Sequence, residues 1–508
     1  MEVEMVAAAT LCCVGACTLA LYLYHVLWLA PGRVRAALRS QGIGGPRPSF
    51  PYGNSTEMSQ AAAGVKAPSA AAASGHRGIV HDYRPAVFPA YEKWRKEYGP
   101  IFTYSIGNMV FLHVSREDVV RDLSLCLSLD LGKSSYMKVT HRPLFGDGIL
   151  KSSGEAWAYQ RRLIAPEFYP DKVKGMVDLM VDSARALVKS WEDRIGSGGV
   201  LELKIDDDFR AYSADVISRT CFGSSYVKGK EIFAMIRELQ KTVSKTNLLA
   251  ELTGLSFFPT RSNREAWRLN RMVRQLMLDV ARESGDDHRN LPNAMLRRAA
   301  SSGDRAAAEN FIVDNCKNIY FAGYESTAVT AAWCMMLLAL HPEWQDRVRD
   351  EVQQACAAAA PDFTSLRKMK KLTMVIQETL RLYPAGSVVS RQALRDITLG
   401  GVRVPAGVNI YVPVLSVHLD QELWGADARE FSPERFAAAR PQPHAYLPFG
   451  AGARTCLGQG FAMAELKVLL ALVLSRFELR LSPDYKHSPA LRLIVEPEHG
   501  VRLVLKSV

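Results

Sequence analysis

"PFGAGARTCLGQGFAMAELK" occupies Pro448–Lys467, near the C-terminal end of a 508-residue chain. Within it Phe449, Gly450, Gly452, Arg454, Cys456 and Gly458 form the pattern FGxGxRxCxG. A thiolate persists only beside positive charge or hydrogen-bond donors, and backbone amides approach sulfur closely only where side chains are absent. The glycines give that access, and the run after Gly458 reads as a helix whose first amides point back at the sulfur. The pattern suits a thiolate metal ligand at Cys456, with Arg454 available to an anionic group beside it. A nucleophilic cysteine is the rival reading, but no histidine in the loop stands ready as its base. A buried thiol in a tight turn is the plainer one.

Hydrophobic residues make up 48% of the chain, enough for a large core. The formal charge of +11 favours lipid headgroups or an acidic partner protein. No Lys/Arg block with interleaved aromatics occurs, which argues against nucleic acid. The nine cysteines are scattered without a CxxC pair, as in a reducing compartment. Met5–Ala30 carries no Asp, Glu, Lys or Arg; as a helix it would span about 39 Å, sufficient to cross a bilayer. Glu2 and Glu4 precede it and Arg33, Arg35 and Arg39 follow, which places the N-terminus in the lumen and the remainder in the cytosol. A cleaved signal peptide would start basic and have a shorter apolar core.

The expected organisation is a lumenal tip and single-pass anchor (1–30), then a basic flank, a Gly/Pro hinge over Gly42–Asn54 and an Ala/Ser linker (31–85), and one globule (86–508). Patterning predicts a helix over Ala86–Tyr98, a hairpin over Ile101–Val114 about Gly107-Asn108, and mainly helices from Glu155 to Leu382. Short strands follow Val388, including Val408–Val414, with a final long helix from Gly458 to about Arg476 and strands in "LRLIVEP" and "VRLVLK". The fold class is mainly α with a smaller β part.

Four further patterns carry chemistry. Glu378 and Arg381 form ExxR, whose spacing puts both charges on one helix face. "FSPERF" (Phe431–Phe436) supplies Arg435, and Trp157 with Arg161 forms WxxxR. "FAGYESTA" (Phe321–Ala328) lies in an apolar segment, Glu309–Leu340, that reads as one long helix. There Ala322 and Gly323 leave space, and Glu325, Ser326 and Thr327 bring an acid and hydroxyls able to interrupt the helical ladder and relay protons. Taken singly, each has a plain reading: a surface ion pair, a buried Trp beside a surface Arg, a glycine kink.

In this order and at these distances, the motifs resemble those of the cytochromes P450, over residues 86–508. The resemblance implies haem b held by the Cys456 thiolate, with Phe449 and Gly458 shaping the loop. Trp157, Arg161, Arg391 and Arg454 would meet the propionates, and Glu378, Arg381 and Arg435 would form a buried structural triad. Glu325, Ser326 and Thr327 would deliver protons to bound O2; Ser326 stands where the family usually has threonine. Pocket walls would come from residues 130–150, Asn318, Phe321, Ala322, Gly386, Ser387 and Val388. Asn318 would bond a polar group of the substrate or equally cap a water network. NADPH electrons would arrive through a separate reductase docked near Arg440 and Arg454, at the endoplasmic reticulum membrane, for oxidation of a small hydrophobic substrate. "GIGGPRPSFPYGN" with "FAGYEST" resembles the plant branch of gibberellin-modifying and cytokinin-hydroxylating enzymes. This implies a gibberellin hydroxylase, acting at carbon 13. A cytokinin, other terpenoid or steroid hydroxylase is the nearest alternative; a haem-thiolate isomerase or dehydratase, or a non-catalytic haem-binding protein, is the more distant one.

Overall fold

The computed structural model describes residues 2–64, 79–196, 199–223, 226–244, 259–283, 291, 295, 305–357, 359–437 and 441–508. Arg440 and most of the Ala/Ser linker lie outside them. The interior is organised around a helix, Arg305–Leu340, four residues longer at its start than the expected Glu309–Leu340. Its segment Ala331–Leu338 is apolar or thiol-bearing throughout and almost wholly shielded from solvent, as expected of a helix packed on every side. The helices Asp206–Phe222 and Gln459–Leu474 pack against it. Gly323 permits the first of these contacts: a Cβ there would lie 2.6 Å from Ile217 Cδ1. The space expected at Gly323 is thus filled by a neighbouring helix.

Twelve strands are present among the described residues. In chain order they are β1 (Ile101–Ile106), β2 (Met109–Val114), β3 (Leu131–Gly132), β4 (Val200–Lys204), β5 (Val388–Ala393) and β6 (Ile397–Leu399). Then come β7 (Val402–Val404), β8 (Asn409–Pro413), β9 (Phe477–Leu481), β10 (Pro489–Arg492), β11 (Ile494–Pro497) and β12 (Arg502–Ser507). The main sheet has the order β1-β2-β8-β5-β3, with β2 and β8 parallel and the other pairs antiparallel. The β1–β2 hairpin turns at Gly107, whose φ of 57° requires glycine. "LRLIVEP", expected as one strand, folds back at Leu493 (φ 75°) into the hairpin β10–β11.

The N-terminal helix runs Glu2–Tyr24, passes through one π turn at His25–Leu29, and continues as Ala30–Arg39. It is long and apolar enough to cross a membrane, and its apolar window is entirely unburied. Its end is different: Leu38 is fully buried and joins Ile43, Val402, Val404 and Ile410 in a core beside the sheet. Gln41 exchanges two hydrogen bonds with the Arg403 backbone (2.9 and 2.8 Å). The Gly42–Asn54 stretch, expected as a hinge, lies packed on β1. Thr103 N–H donates to the Gly44 carbonyl, Asn54 N–H to Ser105, and Gly107 N–H to Tyr52 (2.8, 2.7 and 3.0 Å). Glycine makes this approach possible, since a Cβ on Gly45 would run into the Thr103 carbonyl oxygen.

Candidate active site

The Cys456 loop is shaped by backbone geometry. Gly450 and Gly452 take φ of 78° and 64°, and a Cβ on Gly452 would press on the Cys126 carbonyl oxygen at 2.8 Å. The Cys456 N–H closes the loop on the Phe449 carbonyl (2.8 Å), and the helix Gln459–Leu474 starts after Gly458. Cys456 is closely surrounded by protein atoms and yet remains exposed. Burial pushes its thiol up, opposed by the Gly458 N–H and the Arg161 charge.

A braced ion network holds the loop from behind. Glu378 and Arg381, fully buried, pair through two bonds of 2.7 and 2.8 Å. Arg435 Nε reaches Glu378 Oε1 at 3.1 Å, and Ser432 N–H donates to the same oxygen at 2.9 Å. Arg381 donates onward to the carbonyls of His418, Ala428 and Glu430, and Arg435 also pairs with Asp427 at 2.8 Å, so two acids balance the two arginines. His418 then carries the brace to the loop. It accepts the Leu447 N–H at Nε2 (2.8 Å), which leaves Nδ1–H to donate to the Arg381 carbonyl (3.0 Å). Burial lowers its pKa to about 3, so it stays neutral. The sequence reading missed His418. Its only signal there was a position just after the run Val408–Val414.

In front of the loop, cations gather without an acid partner among the described residues. Arg391 donates to the carbonyls of Ser390 and Ala451 (2.9 and 2.8 Å), and Arg454 to that of Ser152 (2.8 Å). Arg454 Nε is buried with no partner, while its guanidinium lies 4.5 Å from the Trp157 ring centroid. Arg161 also lies over Trp157 and donates to the Thr455 carbonyl at 2.9 Å. Burial draws Arg391 down to about 10; burial, then Arg391 and Arg161, draw Arg454 down to about 9. Lys133, within the expected 130–150 wall but not singled out from sequence, falls to about 7 through burial and the charges of Arg391 and Arg454.

The long helix passes Ala322, which is exposed although Phe321 and Tyr324 beside it are buried. The helix is unbroken here. Ser326 Oγ donates to the Ala322 carbonyl at 2.7 Å, so the expected interruption of the ladder is replaced by a back-bonded hydroxyl. Thr327 is buried. Glu325 Oε1 pairs with Arg210 at 3.0 Å, and its Oε2 is buried with no hydrogen bond. Arg210 also holds Glu496 (2.8 Å), which pairs with Arg492 (3.0 Å), linking the long helix to the β10–β11 hairpin.

Residues 77–504 match the family model described as Cytochrome P450. This chain is a cytochrome P450. It is 72% identical over 511 residues to Cytochrome P450 714B1 of Oryza sativa subsp. japonica, covering 97% of this chain and 95% of that protein. With Cytochrome P450 714B3 of Zea mays it shares 68% over 517 residues, covering 100% and 98%. With Cytochrome P450 714A2 of Arabidopsis thaliana the figure is 42% over 501 residues, covering 94% of each.

Cytochromes P450 are haem monooxygenases that use O2 and NADPH-derived electrons delivered by a partner reductase. This chain's residues fit the group. A thiol held in a glycine loop suits a metal ligand, and cations without an acid partner among the described residues, with an orphaned buried guanidinium nitrogen, suit two carboxylates. A cavity of about 900 Å³ is lined by Gly386, Ser387, Val388 and Glu325, with Phe111 and Met137 among its apolar residues. Of the other expected pocket residues in this P450, Phe321 packs edge-on to Phe145 (5.3 Å) and Ala322 is exposed. Asn318 is a correction. Its Nδ2 donates to Phe145 and Asp314 (2.8 and 2.6 Å), and its Oδ1 accepts from Leu150 N–H (2.9 Å). The amide is spent on fastening the 145–150 loop and is not free for a ligand.

Proposed function

We propose that this P450 hydroxylates a gibberellin, at carbon 13, in the endoplasmic reticulum membrane with its catalytic globule (86–508) in the cytosol. The observation that carries a terpenoid-sized substrate is the cavity of about 900 Å³, of a size that encloses a small polycyclic molecule. The choice of a gibberellin rests on the resemblance of the hinge and "FAGYEST" sequences. Cys456 ligates the haem iron, and haem supplies the oxygen-activating chemistry. Trp157, Arg161, Arg391 and Arg454 receive the propionates, and the Glu378–Arg381–Arg435 triad keeps the loop in place. Glu325, fixed at Oε1 by Arg210, together with the hydroxyls of Ser326 and Thr327, forms the acid and hydroxyl set of the proton relay on the long helix. Gly386, Ser387 and Val388 orient the substrate, and basic residues about Arg454 meet the acidic reductase.

The test is product analysis with membranes carrying the full chain, a plant reductase and NADPH. Gibberellin precursors and an isoprenoid cytokinin are supplied side by side. The expected product is a gibberellin gaining one oxygen, with fragmentation placing it at carbon 13. No gibberellin product from protein with a normal ferrous–CO spectrum would discard the substrate assignment and keep the P450 one.

A further inference from the structure

One face of the main sheet forms a floor of the cavity. In register across the sheet, Ser390 of β5 stands opposite Tyr411 of β8, Tyr411 opposite His113 of β2, and Phe111 of β2 opposite Tyr104 of β1. Residues two apart on a strand share a face, and Val388, Ser390, Tyr411, Phe111, Tyr104 and Ile106 all line the cavity. The helix Pro89–Tyr98 adds Tyr91, whose ring centroid lies 5.3 Å from that of Tyr104 and 5.0 Å from that of Tyr411. The Tyr91 hydroxyl has those of Tyr104 and Tyr411 as its neighbours, yet the Tyr104 hydroxyl is buried and completes no hydrogen bond. Burial holds all three phenols above their ordinary pKa, so each keeps its proton. A hydroxyl has one proton to donate. With Tyr104 and Tyr411 both bonded to Tyr91, the three phenols would use two protons between them. Among the described residues no backbone carbonyl or carboxylate accepts the third.

From this arrangement we infer that Tyr91, Tyr104 and Tyr411 form a phenolic subsite that binds an oxygen acceptor of the substrate, a carbonyl or a carboxylate, and thereby sets which end of the molecule lies away from Gly386–Val388. The inference deepens the reading of this cavity as the substrate site and, for a gibberellin, rests on it. Neighbouring strands lie about 4.8 Å apart, so the phenols stand about 5 to 14 Å across the sheet from Ser390, a distance that a small polycyclic molecule spans. An oxygen placed among them accepts the spare proton, whereas a hydrocarbon covers the hydroxyls and leaves them unpaired. Arg237, Lys241 and Arg492 also border the cavity, and they act on charge. The phenols are neutral, so they act on an ester and an acid alike.

The test uses full-length, haem-loaded protein in lipid membranes and reads ligand binding by the haem spin-state spectral shift. Probes are a tetracyclic diterpenoid acid of the gibberellin type, its methyl ester and the parent hydrocarbon, with lauric acid, methyl laurate and dodecane as a second series. The wild type is expected to bind acid and ester about fivefold or more tighter than the hydrocarbon. Tyr91→Phe and Tyr411→Phe each remove one hydroxyl and keep the ring. Each should weaken acid and ester by about fivefold while leaving the hydrocarbon within about twofold. With all three tyrosines changed to Phe, the three probes of a series should bind alike. The inference is overturned if the Phe variants leave the ratio of oxygenated probe to hydrocarbon unchanged, which makes the phenols a packing cluster bridged by water. It is equally overturned if all three probes weaken together, or if the wild type prefers the oxygenated probes in neither series, binding of none included. A loss confined to the acids would assign recognition to the charged side chains of the cavity and overturn it too. A tyrosine-dependent preference in the lauric series without diterpenoid binding would sink the gibberellin reading and leave the subsite in place.

Discussion

Glu465 lies on the helix that follows Cys456, wholly buried, with neither carboxyl oxygen hydrogen-bonded. The Ser213 hydroxyl nearby is turned to the Gly323 carbonyl at 3.3 Å. Burial raises the Glu465 pKa from 4.5 to about 8, opposed by Ser213, so the folded protein carries this group protonated at neutral pH. The unfolded chain releases the proton above its ordinary value, so the group's contribution to stability is greatest below pH 4.5 and is lost as pH rises toward 8. At pH 7.5 the cost of keeping the proton is about 4 kcal/mol, and at pH 5.5 about 1 kcal/mol. Glu465→Gln keeps the shape and removes the titration. Its stability relative to wild type should therefore rise by about 3 kcal/mol between pH 5.5 and 7.5. Urea unfolding of the two full-length proteins, followed by the haem Soret band, measures that difference while other titrating groups cancel. Parallel pH profiles for variant and wild type would refute the reasoning.

Three further outcomes are expected. Gly45→Ala forces a methyl group into the Thr103 carbonyl and should lower stability by about 3 kcal/mol, measured by thermal unfolding, with the Gly42–Asn54 segment becoming protease-sensitive. His418→Phe strands the buried Leu447 N–H and Arg381 carbonyl. It should cost about 3 kcal/mol and speed haem transfer to apomyoglobin, whereas a variant as stable as wild type would remove His418 from the brace. Cys456→Ser should lose the thiolate-type ferrous–CO band while retaining native circular dichroism; an unchanged band would place the iron ligand elsewhere.

Much of this molecule is written locally in its sequence. The cysteine loop, ExxR and the long apolar helix are legible because glycine spacing, same-face charges and unbroken hydrophobicity each have one physical outcome. Roles set by distant partners were not legible. Asn318 looked like a pocket residue because a polar side chain on a core helix invites that reading, but its partners lie about 170 positions earlier, at Phe145 and Leu150. His418 and Lys133 sit in elements too short to pattern, a five-residue helix and the end of a two-residue strand. Gly42–Asn54 looked like a hinge because Gly and Pro usually mark mobile chain, whereas here Gly45 is small so that two backbones can touch.

The docking of the N-terminal helix also sets an order of events during synthesis. Leu38, Ile43 and Gln41 are among the first residues made, but Val402, Arg403 and Val404, which receive them, emerge some 362 residues later. At ordinary translation speeds that interval is about 20 to 70 s. For that time the end of the helix has no landing place, and its apolar side chains are open to chaperones or lipid. A ribosome stalled before Val402 would therefore leave a nascent chain whose first segment is finished and whose attachment point does not yet exist.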